Sequence, residues 1–342
     1  MRLSTTLSFF TSLSNITMFS ITSLIFACLI YYGAHGLPRP QIVGGTDAPD
    51  GLYPYQVSLN DRYTQTHLCG GAIVSKRYII TAAHCLERLN PRNVIIGVGS
   101  NLLYSQTTYK AEDLIIHPNY TRIIKIINDI PVLINVINDI GLIKLKKDIK
   151  FNSNTKPIAL VSSDKNFDGV KGLIVTGWGN TSPNGPTPEH LQQIIVTGYS
   201  QETCRSNYYA DIREHQVCTL EAGKGICDGD SGSALIYNGE LVGIASFNRP
   251  LCAEGNPDVF TRVFHYRDWV KDILCNFSFS DSSRHKRHSE SFQHLVSDKD
   301  RMTPDVSTCV VNWKAPINAS SNQQLNILLG LFTTYLCIHS FL

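Results

Sequence analysis

Gly229-Asp230-Ser231-Gly232-Ser233 runs without a break into Ala234-Leu235-Ile236-Tyr237, and past an Asn-Gly gap the chain resumes as Leu241-Val242-Gly243-Ile244-Ala245-Ser246. Two short apolar runs bounded by turn formers read as β segments. Segments of the same kind recur outward from this stretch, at Gln56 to Leu59, Gly71 to Val74, Tyr78 to Ala82, Val94 to Val98, Leu142 to Leu145 and Leu173 to Thr176. Many short strands with frequent Gly, Pro, Asn and Asp punctuation predict an all-β sandwich or barrel. Tyr266, Trp269, Val270, Ile273 and Leu274 fall at helical spacing, so a short amphipathic helix is expected to close the β region near residue 275.

The chain has 342 residues, 43% apolar and 17% charged, enough to bury a sizeable core. Its 30 basic and 28 acidic side chains leave a net charge of +2, which gives no electrostatic footprint for nucleic acid. Ten cysteines are too few for a disulfide miniprotein and many for a cytosolic enzyme. The ends differ from the middle. Residues 18 to 32 form an apolar run followed by Gly33, Ala34 and Gly36, so 1–36 reads as a secretory signal with an upstream extension, an uncleaved anchor being the alternative. Residues 37–41 are then a short propeptide, 42–277 the main domain, and 278–321 a polar linker containing Arg284-His285-Lys286-Arg287, which resembles a processing site. An apolar tail, 322–342, leaves a membrane tether open. Asn119, Asn180, Asn276 and Asn318 head glycosylation triplets. Ile127-Asn128-Asp129-Ile130 recurs as Ile137-Asn138-Asp139-Ile140, and residues 131 to 140, or an equivalent ten-residue stretch, read as an insertion.

Three strings carry chemistry: Thr81-Ala82-Ala83-His84-Cys85, Asn138-Asp139-Ile140-Gly141-Leu142-Ile143-Lys144-Leu145, and Gly229-Asp230-Ser231-Gly232-Ser233. With Ile42-Val43-Gly44-Gly45 and Gly177-Trp178-Gly179, they resemble the chymotrypsin-like serine proteases over residues 42 to about 275, in the motif order His, Asp, Ser. The resemblance implies two antiparallel six-stranded β-barrels with a short C-terminal helix. It also implies a serine endopeptidase that hydrolyses protein or peptide substrates without cofactor or metal. An activating protease and protein inhibitors are its expected partners. The main rival is a catalytically silent homologue acting as a secreted binding protein.

The chemistry explains the pattern. A serine hydroxyl is a poor nucleophile at neutral pH and needs a general base. His84 takes the Ser231 proton, and a buried Asp139 fixes the imidazole tautomer. The N–H groups of Gly229 and Ser231 face the oxyanion. By spacing from His117-Pro118-Asn119-Tyr120, Asp129 stands where the family has its aspartate; by continuity into the apolar strand, Asp139 does. The strand positions the carboxylate, so Asp139 is the choice and Asp129 the alternative.

Carried over by position, Cys69 pairs with Cys85, Cys204 with Cys218 and Cys227 with Cys252, while Leu173 and Tyr237 replace both partners of a fourth family pair. Cys275 and Cys309 have no family partner and either pair or stay free. In the family, cleavage before Ile42 frees an amine that pairs with Asp230; here Gln41, not Arg or Lys, precedes the cut. Gly225 lies at the pocket floor, where trypsin-like members carry Asp. Ser246-Phe247-Asn248 forms one wall, Ser246 reaching toward Asp139, and Asp258 lies on the other unless it is a solvated loop residue. A floor without charge but with an acid beside it implies cleavage after large apolar residues, with secondary cleavage after Arg or Lys.

Overall fold

The computed structural model describes residues 43–127, 129–208, 212–249 and 251–275. The signal, propeptide, linker and tail readings, and those made for Ile42, Asn276, Arg284 to Arg287, Cys309 and Asn318, fall outside the described residues. In chain order the strands are β1 (Thr46–Asp47), β2 (Gln56–Asp61), β3 (His67–Ile73), β4 (Tyr78–Thr81), β5 (Val94–Val98), β6 (Thr107–Ile116), β7 (Thr121–Ile127) and β8 (Ile130–Ile137). They continue with β9 (Gly141–Leu145), β10 (Ala159–Leu160), β11 (Leu173–Gly177), β12 (Gln192–Tyr199), β13 (Gln216–Leu220), β14 (Ala234–Tyr237), β15 (Glu240–Phe247) and β16 (Asp258–Arg262).

Two closed barrels result. The first runs β2-β3-β4-β9-β6-β5 and closes through the β2–β5 pairing. The second runs β12-β11-β14-β15-β16-β13 and closes where β13 pairs back onto β12. All pairings within the two rings are antiparallel; β1 and β10 attach outside the second ring, on β12 and β15. Closure removes free edges, and the alternation of each strand sends one face inward. Val57 and Leu59 of β2, Ile79 and Ile80 of β4, and Leu142, Ile143 and Leu145 of β9 are buried together with Leu173, Val175, Leu235, Ile244 and Phe260 from the second ring. The expected closing helix is present: a 3-10 turn, Val263–Tyr266, leads into a helix over residues 267–275, and Val270 and Leu274 are buried.

The stretch from Thr121 to Ile137 forms a β-hairpin. Among the described residues β7 and β8 pair as strands only with each other and join neither barrel ring. The two copies of the repeated string diverge here. The first lies at the hairpin turn, with Asp129 exposed at φ 61°, and the second leaves β8 and enters the barrel strand β9.

Close backbone approach limits side-chain size at one buried point. A Cβ at Gly198 on β12 would lie 1.8 Å from the Phe167 carbonyl oxygen, and the Gly198 backbone bonds to Gly169 and Val170. Gly198→Ala is therefore expected to destabilise the second barrel by about 1–3 kcal/mol, read as a lowered midpoint in thermal unfolding.

Candidate active site

The helix Ala83–Leu86 begins with no side-chain cap of its own. Its exposed N–H need is met from a distance: Asp139 Oδ1 accepts from the His84 N–H at 2.9 Å, and Oδ2 lies 2.8 Å from His84 Nδ1. One carboxylate thereby fixes both the backbone and the ring of His84. Asp139 sits just before β9, which pairs with β4, and β4 delivers the chain into the His84 helix. Ser246 Oγ on β15 donates to Asp139 Oδ2 at 2.6 Å, and Thr261 Oγ1 on β16 donates to the Asp139 carbonyl at 2.8 Å. Asp139 is 2% exposed. Burial pushes its pKa up, but the His84 ring and the hydrogen bonds from His84 and Ser246 outweigh that, and the net shift is downward. Nδ1 faces an ionised acceptor, so it carries the ring proton and leaves Nε2 free to accept one.

Asn138 sets the approach of that carboxylate. Its φ is 55°, a left-handed value that asparagine tolerates. Its Nδ2 donates to the Asn119 carbonyl at 2.6 Å, and its Oδ1 accepts from Tyr266 Oη at 2.9 Å. The Nδ2 bond ties the two ends of the hairpin together. Sequence reasoning did not single out Asn138, Thr261 or Tyr266 for this role; Thr261 is 122 positions from Asp139, and no local pattern links them.

Ser231 lies on the loop between β13 and β14. Glycines flank it at φ 97° (Gly229) and φ 80° (Gly232). A Cβ at Gly232 would meet Thr81 Oγ1 at 2.2 Å and the Ala82 nitrogen at 3.1 Å, so this loop packs on the segment that leads into the His84 helix. The Ser231 carbonyl accepts from Gly70 N at 2.8 Å, and His67 Nε2 contacts the Gly229 carbonyl at 3.0 Å. Desolvation lowers the His67 pKa to about 4, so the ring is neutral and Nε2 donates. His67 is a further residue the motifs did not reveal.

Asp230 is fully buried and accepts from Gly179 N at 2.8 Å and Cys227 N at 2.9 Å. Burial pushes its pKa up to about 7. No ion pair to it occurs among the described residues. The Val43 carbonyl accepts from Gly225 N at 3.4 Å, which brings the start of the described chain beside this region.

Gly225 and Asp258 are adjacent: a Cβ at Gly225 would lie 3.0 Å from Asp258 Oδ2. Asp258 is 4% exposed, which removes the solvated-loop alternative. Its Oδ2 accepts from Ile226 N at 2.9 Å, and burial holds its pKa well above the usual carboxylate range. Asn248 Nδ2 donates to the Ile226 carbonyl at 2.6 Å, and Phe247 packs edge-on against Tyr208 at 5.5 Å between ring centres. Asp258 and Asn248 are thus both fastened to the Ile226 backbone.

Disulfides join Cys69 to Cys85, Cys204 to Cys218 and Cys227 to Cys252. Cys275 is also disulfide-bonded, so it is not a free thiol. Cys69, Cys85 and His84 lie close together, but the two sulfurs are joined to each other and offer no thiolate to a metal. No helix among the described residues is long and apolar enough to cross a membrane.

Comparison with known proteins agrees with this geometry. The trypsin family model matches residues 42–270. Chymotrypsin-2 of Vespa crabro is 44% identical over 67% of this chain and 98% of its own length. Trypsin II-P29 of Gallus gallus is 35% identical over 76% and 99%, and trypsin-1 of Astacus astacus 37% identical over 67% and 98%. With two closed barrels, a histidine bonded to a buried aspartate between them, and a glycine-flanked serine packed on the histidine segment, the chain belongs to the trypsin family of chymotrypsin-like serine endopeptidases.

Proposed function

We propose that the protein is a secreted endopeptidase that cleaves through a Ser231–His84–Asp139 triad. The 2.8 Å contact between His84 Nδ1 and Asp139 Oδ2 carries this reading, because it aims a proton-free Nε2 away from the carboxylate. Ser231 Oγ attacks the scissile carbonyl carbon while His84 Nε2 takes its proton. The tetrahedral oxyanion lies against the N–H groups of Gly229 and Ser231. His84 returns the proton to the leaving amine, an acyl-enzyme ester remains, and water releases it by the same steps in reverse. The disulfides support an oxidising compartment outside the cytosol.

An organofluorophosphonate is expected to label the activated protein at Ser231 and to leave Ser231→Ala unlabelled. Asp139→Asn, which keeps the shape and removes the charge, should lower kcat on the order of ten-thousandfold. Asp129→Asn should change kcat little. The reverse pattern would move the triad acid to Asp129.

The pocket reading favours Phe, Tyr or Leu before the scissile bond, with slower cleavage after Arg or Lys. Support comes from the uncharged Gly225 beside buried Asp258, and from the hornet relative's name, chymotrypsin-2. Burial holds the Asp258 carboxyl well above the usual carboxylate range. A cationic substrate side chain gains only from the ionised form. The ratio of Arg to Phe cleavage should therefore rise with pH, and Asp258→Ala should remove the Arg component and spare the Phe one. A peptide library cut strictly after Arg would refute this preference.

Activation is read as insertion of a free Ile42 amine beside Asp230. The folded precursor holds this carboxyl at a pKa of about 7 against 3.8 in the unfolded chain. Its folded form therefore binds the proton more tightly, and stability falls as pH climbs from about 4 to about 7. The loss is on the order of 4 kcal/mol. A paired amine restores the ionised form. Thermal unfolding against pH should show that decline in the precursor and a flatter profile in the chain beginning at Ile42; identical profiles would exclude the pairing.

A further inference from the structure

We propose that the β7–β8 hairpin is a docking edge for an extended apolar stretch of the substrate polypeptide, well away from the scissile bond. The inference rests on the endopeptidase reading of the same site. An isolated two-stranded ribbon is marginal in water and leaves two rows of unpaired main-chain groups. Among the described residues this ribbon pairs with no other strand. Its side chains add to that. Ile123, Ile124 and Ile126 are 45%, 48% and 67% exposed, a concentration of aliphatic surface within four positions of one strand. Exposed apolar surface together with a free edge is what strand addition by a peptide requires: main-chain bonds for affinity, alternate side chains for selectivity.

Three observations say that the occupant is substrate. First, the ribbon is continuous with the catalytic cleft. It ends at Asn138, the residue before Asp139, and it begins at Thr121, after Tyr120 Oη, which reaches Glu87 Oε2 at 3.5 Å. Arg122 pairs with the same Glu87 carboxylate at 3.7 Å, three residues after His84. Second, the base is clamped between barrels, because Gln216 Nε2 on β13 donates to the Val136 carbonyl at 3.2 Å and Asn138 bonds both Asn119 and Tyr266. The edge therefore has a fixed direction relative to the cleft. Third, Arg122 is engaged by Glu87, and Lys125 is offset by Asp129, so the ribbon presents no net field that selects a strongly charged partner.

Distance sets which part of a substrate arrives. Ile126 pairs with Pro131, eight residues before Asp139. At about 3.3 Å per residue the contact lies up to about 26 Å from the carboxylate. An extended substrate reaches Ile126 with residues up to about eight positions from the bond cut. A tetrapeptide spans only about 13 Å, so the surface is expected to favour long substrates.

The test uses the activated full chain, the double variant Ile124→Lys/Ile126→Lys, and Ile126→Leu as the conservative control. Substrates are a chromogenic tetrapeptide and pairs of twenty-residue peptides. Each pair shares the residues around the cleaved bond and carries either Val/Ile or Gly/Ser residues seven to nine positions away, on one side or the other. The expected result is a tenfold or greater kcat/KM advantage for one apolar long peptide. The double variant should lose that advantage, Ile126→Leu should keep it, and tetrapeptide cleavage should be unchanged throughout. Fluorescence anisotropy of the same peptides on Ser231→Ala reads the surface without chemistry. Loss of cleavage with this binding preference intact would fail the catalytic reading and leave the docking edge standing. No preference in the unsubstituted protein, or one that survives the double variant, overturns the proposal. So does a peptide preference unmoved by the double variant while self-association or binding to phosphatidylcholine vesicles is lost, since that assigns the surface to a second copy or to lipid.

Discussion

A carboxylate buried in the seam between two barrels is the constraint around which this molecule is arranged. Ionised groups leave water at a cost of several kcal/mol unless hydrogen bonds replace the lost hydration. The Asp139 carboxylate receives that replacement from both sides, from the backbone and ring of His84 in the first barrel and from Ser246 in the second, while Thr261 holds the Asp139 backbone carbonyl. Each of these groups is a barrel feature. β4 aims His84, β15 carries Ser246, β16 carries Thr261, and β9 sets Asp139 itself. Moving one ring relative to the other would strip Ser246 from the carboxylate and Thr261 from the carbonyl, so Asp139 joins the orientation of the imidazole to the register of the barrels.

Two further aspartates are buried and resolved differently. Asp230 and Asp258 accept only backbone N–H groups, and burial raises the pKa of both. Asp139 has its cation-forming partner in place, and its pKa moves down. A buried carboxylate without a cation is a site where a cation is rewarded. On the proposed function that cation is a new chain terminus for Asp230 and a substrate side chain for Asp258. One physical rule, with different partners, thus distinguishes the three buried carboxylates.

The hairpin shows how a long excursion of the chain is accommodated beside such a sensitive group. Seventeen residues, Thr121 to Ile137, intervene directly before the Asn138–Asp139 pair. Asn138 isolates the carboxylate from them by bonding the other end of the excursion and the C-terminal 3-10 turn at once. β9, which follows directly, keeps all its residues buried.

The sequence alone determined the strand-rich class, eight of the strands, the closing helix and the identity of the local strings around His84, Asp139 and Ser231. These are legible because alternation, turn formers and motif order are written within a few residues. It did not reveal β6, β12, β13 or β16, whose mixed polar and apolar residues follow no clear alternation and gain their places by pairing with distant strands. Nor did it reveal Asn138, Thr261, Tyr266 or His67, since a hydrogen bond between residues more than a hundred positions apart leaves no local trace. The duplicated Ile-Asn-Asp-Ile string marks the boundary most sharply. Both copies have the same residues, yet one aspartate ends at an exposed turn and the other in the buried seam. Only tertiary structure makes that choice, because what differs is the set of strands, and hence of donors, that closes around each carboxylate.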